Sequence, residues 1–240
     1  MQINIKGRFK IKNNLNINYF DVIDTEEKAY WLGFIWSDGY ICIRDRNNNG
    51  KLTYEFKLAL SIVDKSHLEK FKEALNSDYE IKEYNYNKSN FKEGKEARLM
   101  IYNKYFCSNL VDNYNLKPKR KDIKPILNRL PKNLYKHFIR GVFDADGTMT
   151  FYFNNGKDKK ATMCFSCNEQ LCIFINDIFI KEGLTNTKQK LRKRHPDRDE
   201  GCEQLGFSGC TQVINILDWL YKDSTIYLDR KYEKYIKKWN

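Results

Sequence analysis

Two aspartates, Asp38 and Asp146, occupy the same nine-residue pattern 108 residues apart. Residues 31–39 read WLGFIWSDG, and residues 139–147 read IRGVFDADG. In both, Gly is third, bulky apolar residues are fourth and fifth, a small residue is seventh, Asp is eighth and Gly is ninth. A lone Asp-Gly is a common turn signal. A carboxylate repeated in one local setting points instead to two half-sites that meet around one chemical task. Carboxylates are hard oxygen donors, which fit Mg2+ better than zinc.

Each acid needs an element to carry it. Asp24 and Thr25 can cap a helix over 26–36, EEKAYWLGFIW. Its apolar residues surround the axis almost completely, which predicts a buried helix. YICIR then alternates, and residues 51–62, KLTYEFKLALSI, alternate cleanly. Leu52, Tyr54, Phe56, Leu58, Leu60 and Ile62 share one face, as in a strand with one covered and one wet side. Helical spacing follows at 65–76, strand-like runs at 79–86 and 96–102, and a helix at about 103–114. The second half repeats this order: a helix from Pro131 and Asn133 to Asp146-Gly147, alternation in TMTFYF and KATMCFS, and a helix at 169–182. Strands near 187–194 and 203–208 and a helix at 210–221 complete it.

The pattern predicts an α/β (α+β) protein of two pseudo-symmetric αββαββα repeats, in keeping with tandem duplication. Residues 1–23 form an N-terminal extension, 24–116 the first repeat, 117–133 a basic linker with three prolines, and 134–240 the second repeat.

The charge balance narrows the partner. Forty-three Lys and Arg against 31 Asp and Glu give +12. Excess base of this size favours a polyanion, most simply nucleic acid. The charge is clustered: residues 117–124 carry net +4, residues 188–198 net +5 and residues 229–240 net +3. No apolar run is long enough to span a membrane, and residues 1–14 lack the apolar stretch of a secretory signal. Seven cysteines without framework spacing predict a reduced, intracellular protein.

With the flanking AYWLGFIWSDGYI (29–41) and HFIRGVFDADGTMTF (137–151), the doubled motif resembles that of the LAGLIDADG homing endonucleases of the single-chain, two-motif type. The second copy is nearer the family pattern. The first has Trp36 where the family commonly has Asp, and Ser37 where it has Ala or Gly. The resemblance covers roughly residues 24–238 and leaves 1–23 unexplained.

The resemblance implies that the motif helices pack side by side at a pseudo-twofold axis, with the sheets forming a saddle. Gly33 and Gly141, beside the small Ser37 and Ala145, would let the helices approach. Each helix would deliver its Asp at its C-terminal end, against the negative end of the helix dipole, where two acids also repel each other. Divalent cations would offset both penalties. The implied activity is metal-dependent cleavage of both strands of a long double-stranded DNA target, leaving short 3′ overhangs. Asp38 and Asp146 would bind Mg2+, with Mn2+ able to substitute and Ca2+ supporting binding only. A monomer and an intron-homing context are also implied. The same scaffold admits a catalytically silent DNA-binding regulator, or an RNA maturase acting on intron RNA. Retention of both motif acids favours the nuclease.

A basic residue near each centre would assist the charged phosphate or its water. Aligning LKPKRKD (116–122) with IYLDRKY (226–232) matches Lys121 with Lys231 and Arg120 with Arg230. Either register remains open, with Lys121 and Lys231 the first choice. Asp64 and Asn168, after the long strands, are further active-site polar candidates.

Recognition is expected on the wet strand faces, because a twisted antiparallel ribbon can present alternate side chains in the major groove. The candidates are Arg44, Arg46, Thr53, Glu55, Lys57, Lys82, Tyr84, Tyr86 and Arg98 in the first half. In the second they are Lys188, Lys190, Arg192 and Arg194. Many of the lysines would contact phosphate alone. Other constellations are weaker. Cys164 and Cys167 form C-x-x-C, but no second pair has zinc spacing. His67, His137 and His195 stand apart from any nucleophile, and no Gly-rich phosphate loop points to nucleotide hydrolysis.

Overall fold

The computed structural model describes residues 13–45, 50–86, 94–118, 122–193 and 201–239, and of Tyr86 the backbone alone. The first half runs α1 (Glu26–Asp38), β1 (Tyr40–Asp45), β2 (Leu52–Ser61), α2 (Lys65–Ala74), β3 (Ile81–Tyr86), β4 (Gly94–Ile101) and α3 (Lys104–Tyr114). A short α4 (Lys124–Leu127) leads into the second half. That half comprises α5 (Tyr135–Asp146), β5 (Gly147–Asn154), β6 (Asp158–Cys167), α6 (Glu169–Lys181), β7 (Arg192–Lys193), β8 (Glu203–Ser208), α7 (Cys210–Tyr221) and α8 (Asp229–Lys237).

The strands form two four-stranded antiparallel sheets with matching orders, β1-β2-β4-β3 and β5-β6-β8-β7. Each is covered on one face. In β2, Phe56, Leu58 and Leu60 are buried against the helices while Thr53, Glu55 and Lys57 alternate outward. In β6, Ala161, Met163 and Phe165 do the same. The core is continuous across both halves.

Three details depart from the periodicity. Of the strand expected near 187–194, Arg192–Lys193 forms and pairs with β8, whereas residues 187–191 lie outside any strand. The preceding chain is held against α6 instead: Gln189 donates its backbone N–H to Asn176 Oδ1 at 3.3 Å, and Thr185 is buried. The basic segment after 228 is a helix, α8, which turns Lys231 and Tyr235 inward. Residues 122–130 are anchored by buried Ile123, Ile126 and Leu130. Among the described residues, no helix is long and apolar enough to cross a membrane.

Candidate active site and nucleic-acid interface

Thr25 caps α1, accepting the Lys28 N–H at 3.2 Å. From Ala29 to Trp36 every residue of α1 is buried. α1 and α5 meet backbone to backbone. A Cβ built on Gly33 would collide with the Phe138 carbonyl of α5, and one built on Gly141 with the Tyr30 carbonyl of α1. Any side chain at either position would push the helices apart.

Both helices stop at their acid. Gly39 and Gly147 turn extended (φ −71° and −84°), and each returns its N–H to the carbonyl three residues before the acid, Ile35 and Phe143. β1 and β5 then leave at once. Asp38 and Asp146 are therefore half-buried at the same ends of two helices in mutual contact.

Lys231 lies against the turn that carries Asp146. Its Nζ donates to the Phe143 and Gly147 carbonyls, each at 2.6 Å, and so grips that turn. Burial pulls its pKa down to about 8, and Arg230 adds to that. The negative charges of Asp144, Asp38 and Asp146 act against it. Lys231 thus feels both motif acids while neutralising the C-terminal end of α5.

Arg230 points to a different neighbour. It forms a two-pronged pair with Asp64, Nε to Oδ1 at 3.2 Å and Nη2 to Oδ2 at 3.1 Å. Lys70 of α2 likewise bonds Asp229 at 2.6 Å. These two contacts tie α2 of the first half to α8 of the second. Asn168 is the N-cap of α6, where its Oδ1 accepts the Leu171 N–H at 2.9 Å. Arg120 and Lys121 lie outside the described residues.

Beneath the acids is a buried polar network. Asp144 accepts from the Tyr30 hydroxyl at 2.8 Å, the Tyr221 hydroxyl at 2.5 Å and the Leu228 N–H at 2.8 Å. Tyr30 has one proton, and it goes to Asp144. His67 Nε2, 2.9 Å from the Tyr30 oxygen, must therefore carry the hydrogen of that contact. His67 Nδ1 is left buried without a partner. Arg140, wholly buried, donates to the Ile226 and Leu220 carbonyls and to Glu26. Arg140 and Asp144 place charge within the buried stretch 138–144 of α5, and buried charge demands partners.

The outer face of the first sheet gathers Arg44, Thr53, Glu55, Lys57, Arg98, Lys82 and Tyr84, all aligned by the strand register. Arg98 pairs with Glu96 and stacks 4.2 Å over the Tyr84 ring. Tyr86 continues the same register position on β3, whereas Arg46 and Arg194 lie outside the described residues. Of the described second-half candidates, Arg192 alone lies on a strand. Lys188 and Lys190 precede β7, and Lys188 is 3.8 Å from Asp177. Sequence reasoning overlooked the outward rows of β5, β6 and β8, including Thr148, Thr150, Thr162, Ser166, Gln204 and Ser208. Thr148, Thr150, Thr162 and Ser166 alternate visibly in TMTFYF and KATMCFS, but they are uncharged, whereas the candidates expected in the second half are all basic.

Comparison of the sequence with models of protein families and with curated proteins gives no match. Comparison of the fold with solved structures does. The LAGLIDADG homing endonuclease I-GzeII in complex with its DNA target matches with TM-score 0.57 and 14% identity, over 87% of this chain and 88% of that one. I-LtrWI bound to target DNA matches with TM-score 0.54 and 15% identity, over 92% and 90%. The meganuclease I-SmaMI bound to uncleaveable DNA matches with TM-score 0.59 and 12% identity, over 87% and 88%. The chain has the single-chain, two-domain fold of the LAGLIDADG homing endonucleases.

Proposed function

We propose that this protein is a site-specific endonuclease that hydrolyses both strands of duplex DNA at a centre formed by Asp38 and Asp146. The observation that carries the reading is the placement of these two acids. Each ends a helix, the two helices touch along their backbones, and Lys231 lies within the field of both.

The donor set suits Mg2+. Two half-buried carboxylates end the paired helices, and the described residues hold no cluster of three His, Cys, Asp or Glu that would form a complete protein cage. Mg2+ typically uses one or two carboxylates and completes its shell with water and substrate phosphate oxygens. Bound there, it would lower the pKa of an attacking water and offset charge on the phosphate and the leaving oxygen.

The chain's residues supply position and charge. Gly33 and Gly141 fix the separation of the helices. Lys231 holds the Asp146 turn and adds positive charge beside the acids. Arg230, Lys234, Lys237 and Lys238 outnumber Asp229 and Glu233 in a groove along α8 and its end, which leaves a net positive charge towards phosphate. The sheet faces flanking the centre offer side chains for base edges. DNA-bound structures of similar fold support this reading. The experiment is Mg2+-dependent cutting of a selected duplex by wild type and by Asp38→Asn and Asp146→Asn proteins. Duplex binding without cutting by wild type would favour a regulator.

A further inference from the structure

The outer faces of the two sheets differ in chemistry. The first is charged: Arg44, Lys57, Arg98 and Lys82 alternate with Glu55 and Glu96. The second is neutral over its centre, with Lys160 opposite Tyr152 in the flanking row. Its register sets Thr150, Thr162 and Ser208 in one row across β5, β6 and β8. The next row is Thr148, Cys164 and Gly206. A third row places Ser166 beside Gln204, with Arg192 only at the edge.

Gly206 also sets this sheet apart. It lies inside β8 and faces outward beside Cys164. Its φ is not positive. A Cβ there would meet only the Met163 carbonyl oxygen, at 4.0 Å. The fold thus has no steric need for glycine, although glycine weakens a strand. What glycine leaves is a recess in the outer face, floored by main chain and walled by hydroxyl and thiol side chains. Glycine in a strand often marks the close approach of a partner.

Base chemistry then distinguishes the halves. In the major groove guanine is read chiefly by Arg or Lys, and cytosine donates to Glu or Asp. Threonine methyls pack on the thymine methyl, Gln pairs with adenine, and hydroxyls accept either role. Accepting the DNA reading above, we propose that the two sheets read half-sites of opposite composition. The second sheet takes an A·T-rich half, with a thymine methyl edge entering the recess over Gly206. The first sheet takes the half containing G·C pairs, where Arg44 reads guanine and Arg98 is held ready by Glu96 and Tyr84.

The test is selection of bound duplexes from a random library by the full chain in Ca2+, repeated with Gly206→Val and Arg44→Gln. Valine suits a strand and fits the open space, so the Gly206→Val melting temperature should match or exceed that of wild type. The expected selected site has one A·T-rich and one G·C-containing half. Gly206→Val should weaken binding of that site about tenfold or more, the cost of roughly one mismatched base pair, and relax selection at one A·T position. Arg44→Gln should lose a guanine preference in the opposite half alone. Halves of equal composition, wild-type affinity in Gly206→Val, or both substitutions acting on one half would overturn the proposal while leaving DNA binding intact. Retention of no duplex by the wild type would overturn the DNA reading itself, and this inference with it.

Discussion

Tyr30 and Asp144 join the two halves by one buried hydrogen bond of 2.8 Å, phenol to carboxylate. Tyr30 belongs to α1, more than two turns before Asp38, and Asp144 to α5, two residues before Asp146. Burial raises the Asp144 pKa, while nearby Lys231 and the Tyr221, Leu228 and Tyr30 donors pull it down. Asp144→Leu removes the shared acceptor and strands two hydroxyls and the Leu228 N–H. It should cost about 3–5 kcal/mol, the usual penalty for breaking a buried polar network on one side. Tyr30→Phe leaves Asp144 its other donors but strands the His67 Nε2–H, and should cost about 1–3 kcal/mol. Denaturant melts of the two variants would check this ranking.

The helix contact gives a second prediction. Gly33→Ala and Gly141→Ala each add one methyl where a facing carbonyl already stands. Backbone cannot yield as a flexible side chain would, so each substitution should destabilise by about 1–3 kcal/mol or more. Cutting should fall further than stability at a temperature where the variants remain folded, because separating the helices also separates Asp38 from Asp146. Thermal melts beside single-turnover cutting rates measure both.

A third prediction concerns acid. Burial, with Lys70 and Lys231 adding positive charge, lowers the His67 pKa to about 3 from its usual 6.5. Between those values the unfolded chain binds a proton that the native state does not. This contribution to stability is therefore intact above pH 6.5 and lost as pH falls towards 3, at about 1.4 kcal/mol per unit. Asp144, with its raised pKa, acts in the opposite sense as pH rises. His67→Phe removes the titration and the orphaned Nδ1 while keeping the Tyr30–Asp144 bond. The difference in stability between wild type and His67→Phe should thus shift steadily against wild type below pH 6.5. A flat difference would contradict the buried, neutral imidazole.

Lys231 supplies a fourth. Lys231→Met keeps an apolar stem near the Phe143 ring but gives up both bonds to the α5 turn. Leaving the Gly147 carbonyl short of this partner should cost about 1–3 kcal/mol. Duplex affinity should change little, while the cutting rate falls at least about tenfold, as expected when a group near the reacting phosphate is misplaced. A gel-shift titration beside single-turnover cutting separates the two effects.

Much of the fold was legible because the chain writes it twice. The repeated motif, the period-two alternation in 51–62 and the Thr25 cap all specify local structure through neighbours in sequence. The buried network was not legible. Its members come from residues 26, 30, 67, 140, 144, 221 and 228, and only tertiary packing brings them together. Lys231 illustrates the same limit. Its alignment with Lys121 marked it as a basic residue near the centre, but not as a clamp on the main chain of α5. The strand expected near 187–194 is present at Arg192–Lys193 and absent over 187–191, where Gln189 gives its N–H to the Asn176 side chain in place of a ladder partner. The neutral rows of the second sheet were visible as alternation, yet charge alone did not draw attention to them.

The central claim is that Asp38 and Asp146 together form the cutting centre. The most direct measurement is Mg2+-dependent cleavage of a plasmid carrying the selected site by wild type, both single Asn variants and the double variant. Wild type should make one staggered double-strand break. Asp38→Asn, Asp146→Asn and the double variant should make none, while still holding the duplex in Ca2+. Full cutting by the double variant would contradict the account.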